Sequence, residues 1–149
     1  MEPDVLFASG RAEINEHFKD ILNDFFPRYI KIIFSEEFRD SIEEIRIEGH
    51  TSSEWGNGVV SRDEAYFNNM ALSQERTRSV LSYCYHLNSV SGYKNLMRTY
   101  ITANGLSSSQ PVLFEDGTEN VRLSRRVEFR TRTNADQKIV QILDELHYD

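Results

Sequence analysis

The alternation of apolar and charged residues predicts two half-buried strands. In the stretch 45–49, isoleucines alternate with charged residues until a glycine ends the pattern. In the stretch 126–132, Val127, Phe129 and Thr131 alternate with arginines and a glutamate. Because successive side chains of a strand point to opposite faces, we expect the apolar residues to face a core and the charged residues to form a solvated sheet face.

Apolar residues at helical spacing predict two principal helices. From Arg11 onwards one face stays apolar, and Pro27 interrupts this pattern, which predicts a kink or a restart of the helix. A second apolar stripe runs through residues 73–87. Ser73 is a candidate N-cap of that helix, because its hydroxyl can accept a bond from an amide of the first turn. Arg76 would then lie beside the start of the helix.

Shorter patterns complete the predicted fold. Residues 5–8 are a short strand candidate, and a helix at 93–98 leads into a strand at 100–103. Asn134 is a candidate cap for a C-terminal helix at about 134–147, with apolar residues Ile139, Ile142, Leu143 and Leu146. We therefore expect an α/β fold, an α+β sandwich with helices on one face of a small sheet. A single domain would span 1–149, with its core in 5–132.

Composition and charge are those of a folded protein that does not bind polyanions. The chain has 149 residues, of which 39% are hydrophobic, and a net charge of −7. General binding to nucleic acids or anionic membranes draws on a surplus of lysine and arginine, so we expect no nucleic-acid partner. The arginines between 122 and 132 could indicate a phosphate or RNA site, but their alternation with a buried face favours a solvated sheet face.

Catalysis has little support in the sequence. The four histidines are far apart, and no pair has the spacing of metal ligands. The sequence also has no serine-nucleophile elbow and no phosphate-binding glycine loop. His50 is interpreted as a hydrogen-bonded residue that holds a strand end. We expect a non-enzymatic protein with no cofactor and no metal.

Three motifs follow one another in a fixed order along the chain. They are Gly49-His50-Thr51, then Asn69-x-x-Leu72-Ser73-x-x-Arg76, then Ser124-Arg125-Arg126-Val127-Glu128-Phe129. This order resembles the OmpA-like, MotB-type family of peptidoglycan-binding domains, whose signature is GHTD, NxxLSxxRA and NRRVEF. The stretches 7–12 and 103–111 also resemble this family, so the resemblance extends over about 5–132. It implies an OmpA-like βαβαβ mixed sheet.

The segment 52–68 is longer than the family's usual spacing between the first two motifs. It is also unusually apolar for an exposed loop, with Trp55, Val59, Val60, Tyr66 and Phe67. We expect this enlarged loop to pack down as a lid or a small helix, and contact with a partner is the alternative.

The resemblance implies a site for the stem peptide of peptidoglycan. In the family an arginine takes the carboxylate of meso-diaminopimelate, and the aspartate of GHTD takes its ammonium group. Arg76 matches the arginine, but Ser52 stands in place of the aspartate. Glu54 or Asp63 could restore the negative charge. The implied peptidoglycan-binding residues are Thr51, Ser52, Asn69, Leu72, Arg76 and Arg125.

A structural role for the arginine is the alternative to ligand binding. Arg76 would then pair with Glu75 or Glu128, and the motif would serve folding. A serine in place of the aspartate contributes a neutral hydrogen bond of about 1 kcal/mol, against about 1.5–3 kcal/mol for a charged one. The site could therefore bind the cell wall weakly or in a changed way.

The function that the resemblance implies is cell-wall anchoring. We expect a non-catalytic, homodimeric periplasmic domain of an inner-membrane or outer-membrane protein in a Gram-negative bacterium, with a membrane anchor upstream of this fragment. The parent would be a MotB-like stator subunit of an ion-driven motor of the flagellar or anti-phage type. The alternative is a protein-interaction or dimerisation module that keeps the fold and has lost diaminopimelate binding.

Overall fold

The computed structural model describes residues 6–56 and 59–134, and the backbone alone for residues 137–143. Within these residues the helices are α1 (Glu16–Ile33), α2 (Arg62–Tyr85), α3 (Lys94–Tyr100) and α4 (Val121–Ser124). The strands are β1 (Ile42–His50), β2 (Ile101–Gly105), β3 (Arg126–Thr133) and β4 (Gln137–Leu143). Short 3-10 turns occupy Arg39–Ser41 and Asn88–Tyr93. The predicted extent of a single domain over 1–149 stays a prediction.

The four strands form one mixed sheet in the order β2-β1-β3-β4. β1 pairs in parallel with β2 and antiparallel with β3, and β3 pairs antiparallel with β4. The predicted mixed α/β fold is confirmed, and β1 and β3 lie in the interior of the sheet. A parallel pair needs a crossover connection, which α2 and α3 supply between β1 and β2.

The helices α1 and α2 pack on one face of the sheet, as predicted. The fully buried Ile45, Ile47 and Phe129 belong to one apolar cluster with residues of both helices. The ring of Phe129 has its centroid 5.2 Å from that of Phe25, and it also contacts Phe26. Burying one such side chain contributes about 1.5–3 kcal/mol, so the apolar cluster on this face stabilises the fold.

Helix α1 differs from its prediction at two points, its first residue and Pro27. It begins after Asn15, whose Oδ1 accepts a bond from the Phe18 amide at 2.8 Å, and not at Arg11. It also continues through Pro27, where we expected a kink or restart. A proline inside a helix costs about 3 kcal/mol, and burial of the flanking aromatic residue Phe26 and its neighbours offsets that cost.

Helix α2 starts well before the predicted position. Ser61 is its N-cap, with Oγ 3.1 Å from the Glu64 amide, and Ser73 lies inside the helix. The segment 52–68, predicted as an enlarged loop, therefore becomes helical at residue 62. The apolar residues of this segment pack onto the protein only in part. Trp55 is half-buried, whereas Val59 and Phe67 are 83% and 67% exposed.

The predicted C-terminal helix is wrong over the described residues. Residues 137–143 form strand β4, which pairs residue by residue with β3 from Arg132↔Gln137 to Arg126↔Leu143. Without β4, β3 would be an edge strand with unpaired amides and carbonyls, and β-branched residues in this stretch favour a strand. Residues 144–147 of the predicted helix lie outside the described residues.

Helix α2 touches the sheet where two glycines are paired. Gly49 of β1 and Gly105 of β2 are in register, side by side at the ends of their strands. A Cβ atom added to Gly105 would lie 2.3 Å from the Gln74 amide nitrogen, and one added to Gly49 would lie 2.8 Å from Thr77 Cγ2. Only glycine allows the helix backbone to approach this closely.

We predict that Gly105→Ala lowers the free energy of unfolding by about 3 kcal/mol or more, because its methyl group meets backbone and not a movable side chain. Gly92→Ala is the matched control, since a Cβ there has no atom within 4 Å, and it should change stability by less than about 0.5 kcal/mol. Urea unfolding of both variants measures this. Equal stabilities would show that the helix can move away from the sheet without cost.

Candidate functional site

A cleft of about 280 Å³ opens where β1 ends and α2 passes over the sheet. It gathers most of the predicted site residues: Thr51, Ser52, Glu54, Asn69, Leu72, Arg76 and Arg125 line it. Asp63 is the exception, because it lies exposed in the first turn of α2 and does not line the cleft. Residues far apart in sequence thus meet at one strand end.

The sequence interpretation missed part of the cleft wall. Ser9, Gly10, Trp55 and Gly56 also line it. The first two belong to the stretch 7–12, whose resemblance to the family was the available signal. Trp55 was noted for its apolar character only.

Arg76 is held by the N-terminal segment. Its Nε donates to the Arg11 carbonyl at 2.7 Å and its Nη2 to the Ala8 carbonyl at 3.2 Å. Its guanidinium carbon lies 4.6 Å from the centroid of the Phe7 ring, a cation–π contact. Both bonds orient the guanidinium at the edge of the cleft. Arg76 therefore positions the N-terminal segment and borders the cleft at the same time.

The predicted place of Arg76 at a helix start is wrong. Since α2 begins at residue 62, Arg76 lies about four turns into the helix. The helix dipole acts within the first turn, and so it adds nothing here. Any attraction for an anion at this point comes from the guanidinium itself, in a side chain that is only 8% exposed.

The loop that follows β1 is fixed from several sides. Asn69 Nδ2 donates to the carbonyls of Ser52 at 3.2 Å and Glu54 at 3.1 Å. The Thr51 amide donates to the Ser107 carbonyl at 2.9 Å. Asn69 was predicted as a ligand-binding residue, but its side-chain amide group donates its hydrogen bonds to the loop. The result is a rigid wall for the cleft.

A second layer of bonds ties this loop to α2. Ser73 Oγ accepts a bond from the Ser107 amide at 3.1 Å, and Ser107 Oγ donates to the Tyr66 carbonyl at 2.7 Å. Ser107 has a φ of +55°, a left-handed conformation that these buried bonds stabilise. The turn that follows β2 therefore connects the strand ends to α2.

Two polar features of the cleft could contact a ligand. The Thr51 hydroxyl is buried and has no hydrogen-bond partner among the described residues. A buried hydroxyl without a hydrogen-bond partner costs about 1–3 kcal/mol, so binding of a polar ligand atom beside it would be favoured. At the rim, Glu54 Oε1 lies 3.7 Å from Arg125 Nη2, and these side chains are 60% and 32% exposed. A cleft that borders Arg76 and this pair offers both signs of charge.

Known proteins resemble this chain in sequence and in fold. No protein-family model matches the chain. The Zorya protein ZorB of Escherichia coli is 46% identical over 143 residues, covering 96% of this chain. The chain spans about 60% of the length of that relative.

Solved structures agree with this match. A MotB-like protein from Desulfovibrio vulgaris is 25% identical with a TM-score of 0.53, over 97% of this chain and 70% of that protein. The periplasmic domain of Helicobacter pylori MotB is 19% identical with a TM-score of 0.55, over 87% of this chain and 71% of that domain. The chain has the OmpA-like fold of MotB homologues. The predicted resemblance is confirmed.

None of the relatives reported above is named as an enzyme. Among the described helices, none combines the length and apolarity required for a membrane crossing.

The second face of the sheet carries a charge cluster beside the cleft. Glu48 and Glu128 are directly opposite each other on β1 and β3, and only 4% and 5% exposed. Arg126 Nε binds Glu128 Oε2 at 2.8 Å, and Arg130 contacts both glutamates, at 3.2 Å and 3.0 Å. The predicted solvated sheet face is therefore wrong at these positions, because the paired charges are buried.

His50 lies between the two buried glutamates. Its Nε2 is 3.6 Å from Glu48 Oε1 and 3.7 Å from Glu128 Oε1. These distances exceed a normal hydrogen bond, and neither ring nitrogen has a hydrogen-bond partner among the described residues. The predicted hydrogen bond of His50 is therefore not found among the described residues, and its ring lies beside the two carboxylates at the Gly49-His50-Thr51 corner.

Glu48, His50 and Glu128 are also the described residues whose spacing could hold a metal ion, with ligand atoms within 4.8 Å of one another. The surrounding charge argues against it. The carboxylate oxygens already accept bonds from guanidinium groups of Arg46, Arg126 and Arg130. A divalent cation would have to displace these cations, so the cluster fits a structural ion-pair network better than a metal site.

The pKa of Glu128 is lowered from its usual value of 4.5 to about 2. Contact with His50 is the largest cause, and Arg126 adds to it, against burial, which raises the pKa. The Arg126 bond at 2.8 Å is the shorter of the two contacts. Because the folded-state pKa is depressed, the stabilisation is complete above about pH 4.5 and is lost as the pH falls towards 2.

We predict that Glu128→Gln lowers the free energy of unfolding by about 3 kcal/mol at neutral pH, because it leaves Arg126 buried without its charged partner. The difference from the wild type should shrink as the pH falls from 4.5 towards 2. Glu43→Gln is the control, since Glu43 forms an exposed pair with Arg132 at 3.4 Å and should cost less than about 1 kcal/mol. Denaturant unfolding across this pH range measures both variants. A pH-independent difference would contradict the role given to Glu128.

Proposed function

We propose that this domain binds peptidoglycan and anchors its parent protein to the cell wall. The observation that carries the proposal is the convergence of Thr51, Leu72 and Arg76 on one cleft. These residues come from two separate motifs, and the family resemblance assigns them to ligand binding. A rigid cleft with a fixed guanidinium suits a ligand with a carboxylate group, such as the stem peptide of peptidoglycan.

The proposed ligand group is the side-chain carboxylate of meso-diaminopimelate. Arg76 would attract it, the buried Thr51 hydroxyl would donate a hydrogen bond, and the half-buried Leu72 would contact the aliphatic part of the stem peptide. The loop and helix hold these groups in place before binding, which lowers the entropic cost of association. Asn69 would act indirectly, through its bonds to the loop.

Similarity to ZorB and to MotB supports a stator subunit as the parent, of the anti-phage or flagellar type. In that case the domain would lie in the periplasm of a Gram-negative bacterium and would act as a homodimer next to a membrane anchor. Since the chain spans about 60% of ZorB, these features of the whole protein are part of the proposal.

The second candidate function is a protein-interaction module that has lost the ligand. Two observations favour it: the bonds from Arg76 to the Arg11 and Ala8 carbonyls, and the strong exposure of Val59 and Phe67. In this case the arginine would only secure the N-terminal segment.

We predict that Arg76→Ala weakens binding to purified sacculi by roughly tenfold or more, because a charged hydrogen bond contributes about 1.5–3 kcal/mol. Arg78→Ala is the control, since Arg78 is an exposed arginine on the same helix and lies outside the cleft. Co-sedimentation with sacculi and titration with muropeptide measure the affinity.

A second variant separates binding from folding, because Arg76 also holds the N-terminal segment. Leu72→Asp leaves Arg76 in the chain and places an anion in the cleft one helical turn from its guanidinium. This anion should pair with Arg76 and repel a ligand carboxylate, so it should weaken binding while the thermal midpoint changes little. The interaction module would be favoured if the wild type fails to bind sacculi, or if Arg76→Ala and Leu72→Asp both bind as well as the wild type.

A further inference from the structure

The cleft contains one acidic residue among the described residues that line it, Glu54. The position at which the family carries an aspartate is Ser52, which is neutral and 2% exposed. We infer that Glu54 recognises the ammonium group of the ligand and makes the site selective for a zwitterionic side chain. This inference rests on the proposed function, because it assigns a second contact within the same cleft.

Ser52 does not supply the charge of a carboxylate. Its hydroxyl is 3.4 Å from the Glu54 amide, the long end of a hydrogen bond. Ser52 lines the cleft, but its hydroxyl adds no charge to meet an ammonium group. The negative charge of the site must therefore come from another residue.

Geometry decides between the two carboxylates nearest in sequence. Asp63 lies in the first turn of α2 and does not line the cleft. Glu54 lines it, and its backbone is fixed because its carbonyl accepts a bond from Asn69 Nδ2 at 3.1 Å. The loop residue before it is fixed too, since Ser53 Oγ donates to Glu119 Oε1 at 2.5 Å. The loop thus presents Glu54 at a defined point of the rim.

Arg125 pairs with the Glu54 carboxylate at this rim but leaves that carboxylate accessible to a ligand. The ion pair is long, at 3.7 Å, and its glutamate is 60% exposed. Such a pair is weak, so a ligand ammonium can join the same carboxylate at hydrogen-bond distance. Arg76, Glu54 and Arg125 then present positive, negative and positive charges around one cleft. A ligand group with adjacent carboxylate and ammonium complements this arrangement.

The experiment compares two ligands on matched variants. The first is a tripeptide with meso-diaminopimelate at its end, and the second is the same peptide with the distal amine acetylated. The wild type should bind the free amine roughly two- to fivefold more tightly, the range expected for an exposed charge pair. The preference should weaken as salt is raised, because the pair is exposed.

Glu54→Gln should bind both peptides alike, whereas the control Asp63→Asn should keep the wild-type preference. Adding Ser52→Asp to Glu54→Gln should restore the preference, because it returns a carboxylate to the family position. Thermal unfolding checks that each variant is folded, and the loop should persist since its bonds use the Glu54 backbone.

The outcomes separate this inference from the proposed function. If Glu54→Gln keeps the preference for the free amine, the assignment of Glu54 is overturned and peptidoglycan binding stands. If the wild type binds both peptides equally well, the selectivity is absent and the inference fails. If the wild type binds neither peptide, the proposed function fails together with it.

Discussion

The close contact between α2 and the sheet is the constraint on which the rest of the structure depends. Two paired glycines, Gly49 and Gly105, let the helix backbone approach the strand ends. This contact fixes the distance of the helix from the sheet and its rotation about its own axis. As a result, Asn69 reaches the loop and Arg76 reaches the N-terminal segment. The cleft follows from packing, before any ligand chemistry is considered.

Two arrangements of charge flank this contact and differ in kind. On the helix face, Arg76 is bonded to neutral carbonyls, which orient its charge towards the cleft wall. On the other face, Glu48 and Glu128 are buried with arginines, and their charges are satisfied within the sheet. A buried network of this type gives a rigid strand end, and the Thr51 corner is built on it. The first arrangement suits recognition and the second suits support.

Local patterns predicted the sheet strands well and the helix ends poorly. The strands at 45–49 and 126–132 follow from alternation, which depends on neighbouring residues alone. Ser73 has the residue type of a helix cap, but its Oγ accepts a bond from the Ser107 amide, a partner too distant in sequence for a local pattern to indicate. The spacing of apolar residues in the C-terminal stretch fits a helix. It forms a strand because the backbone groups along one edge of β3 need hydrogen-bond partners, which the sequence pattern does not reveal. Motif order identified the cleft residues, but the acceptors of Arg76 could not be predicted, since they lie more than 60 residues away.

The cleft as the ligand site is the central claim, and mapping a ligand onto the domain tests it most directly. An isotope-labelled domain would be titrated with a diaminopimelate tripeptide and followed by NMR. We expect the largest shifts at the amides of Thr51 and Leu72 and at the Arg76 Nε–H, with smaller ones along the loop. An unchanged spectrum, or shifts confined to the exposed surface around Phe67, would contradict the claim.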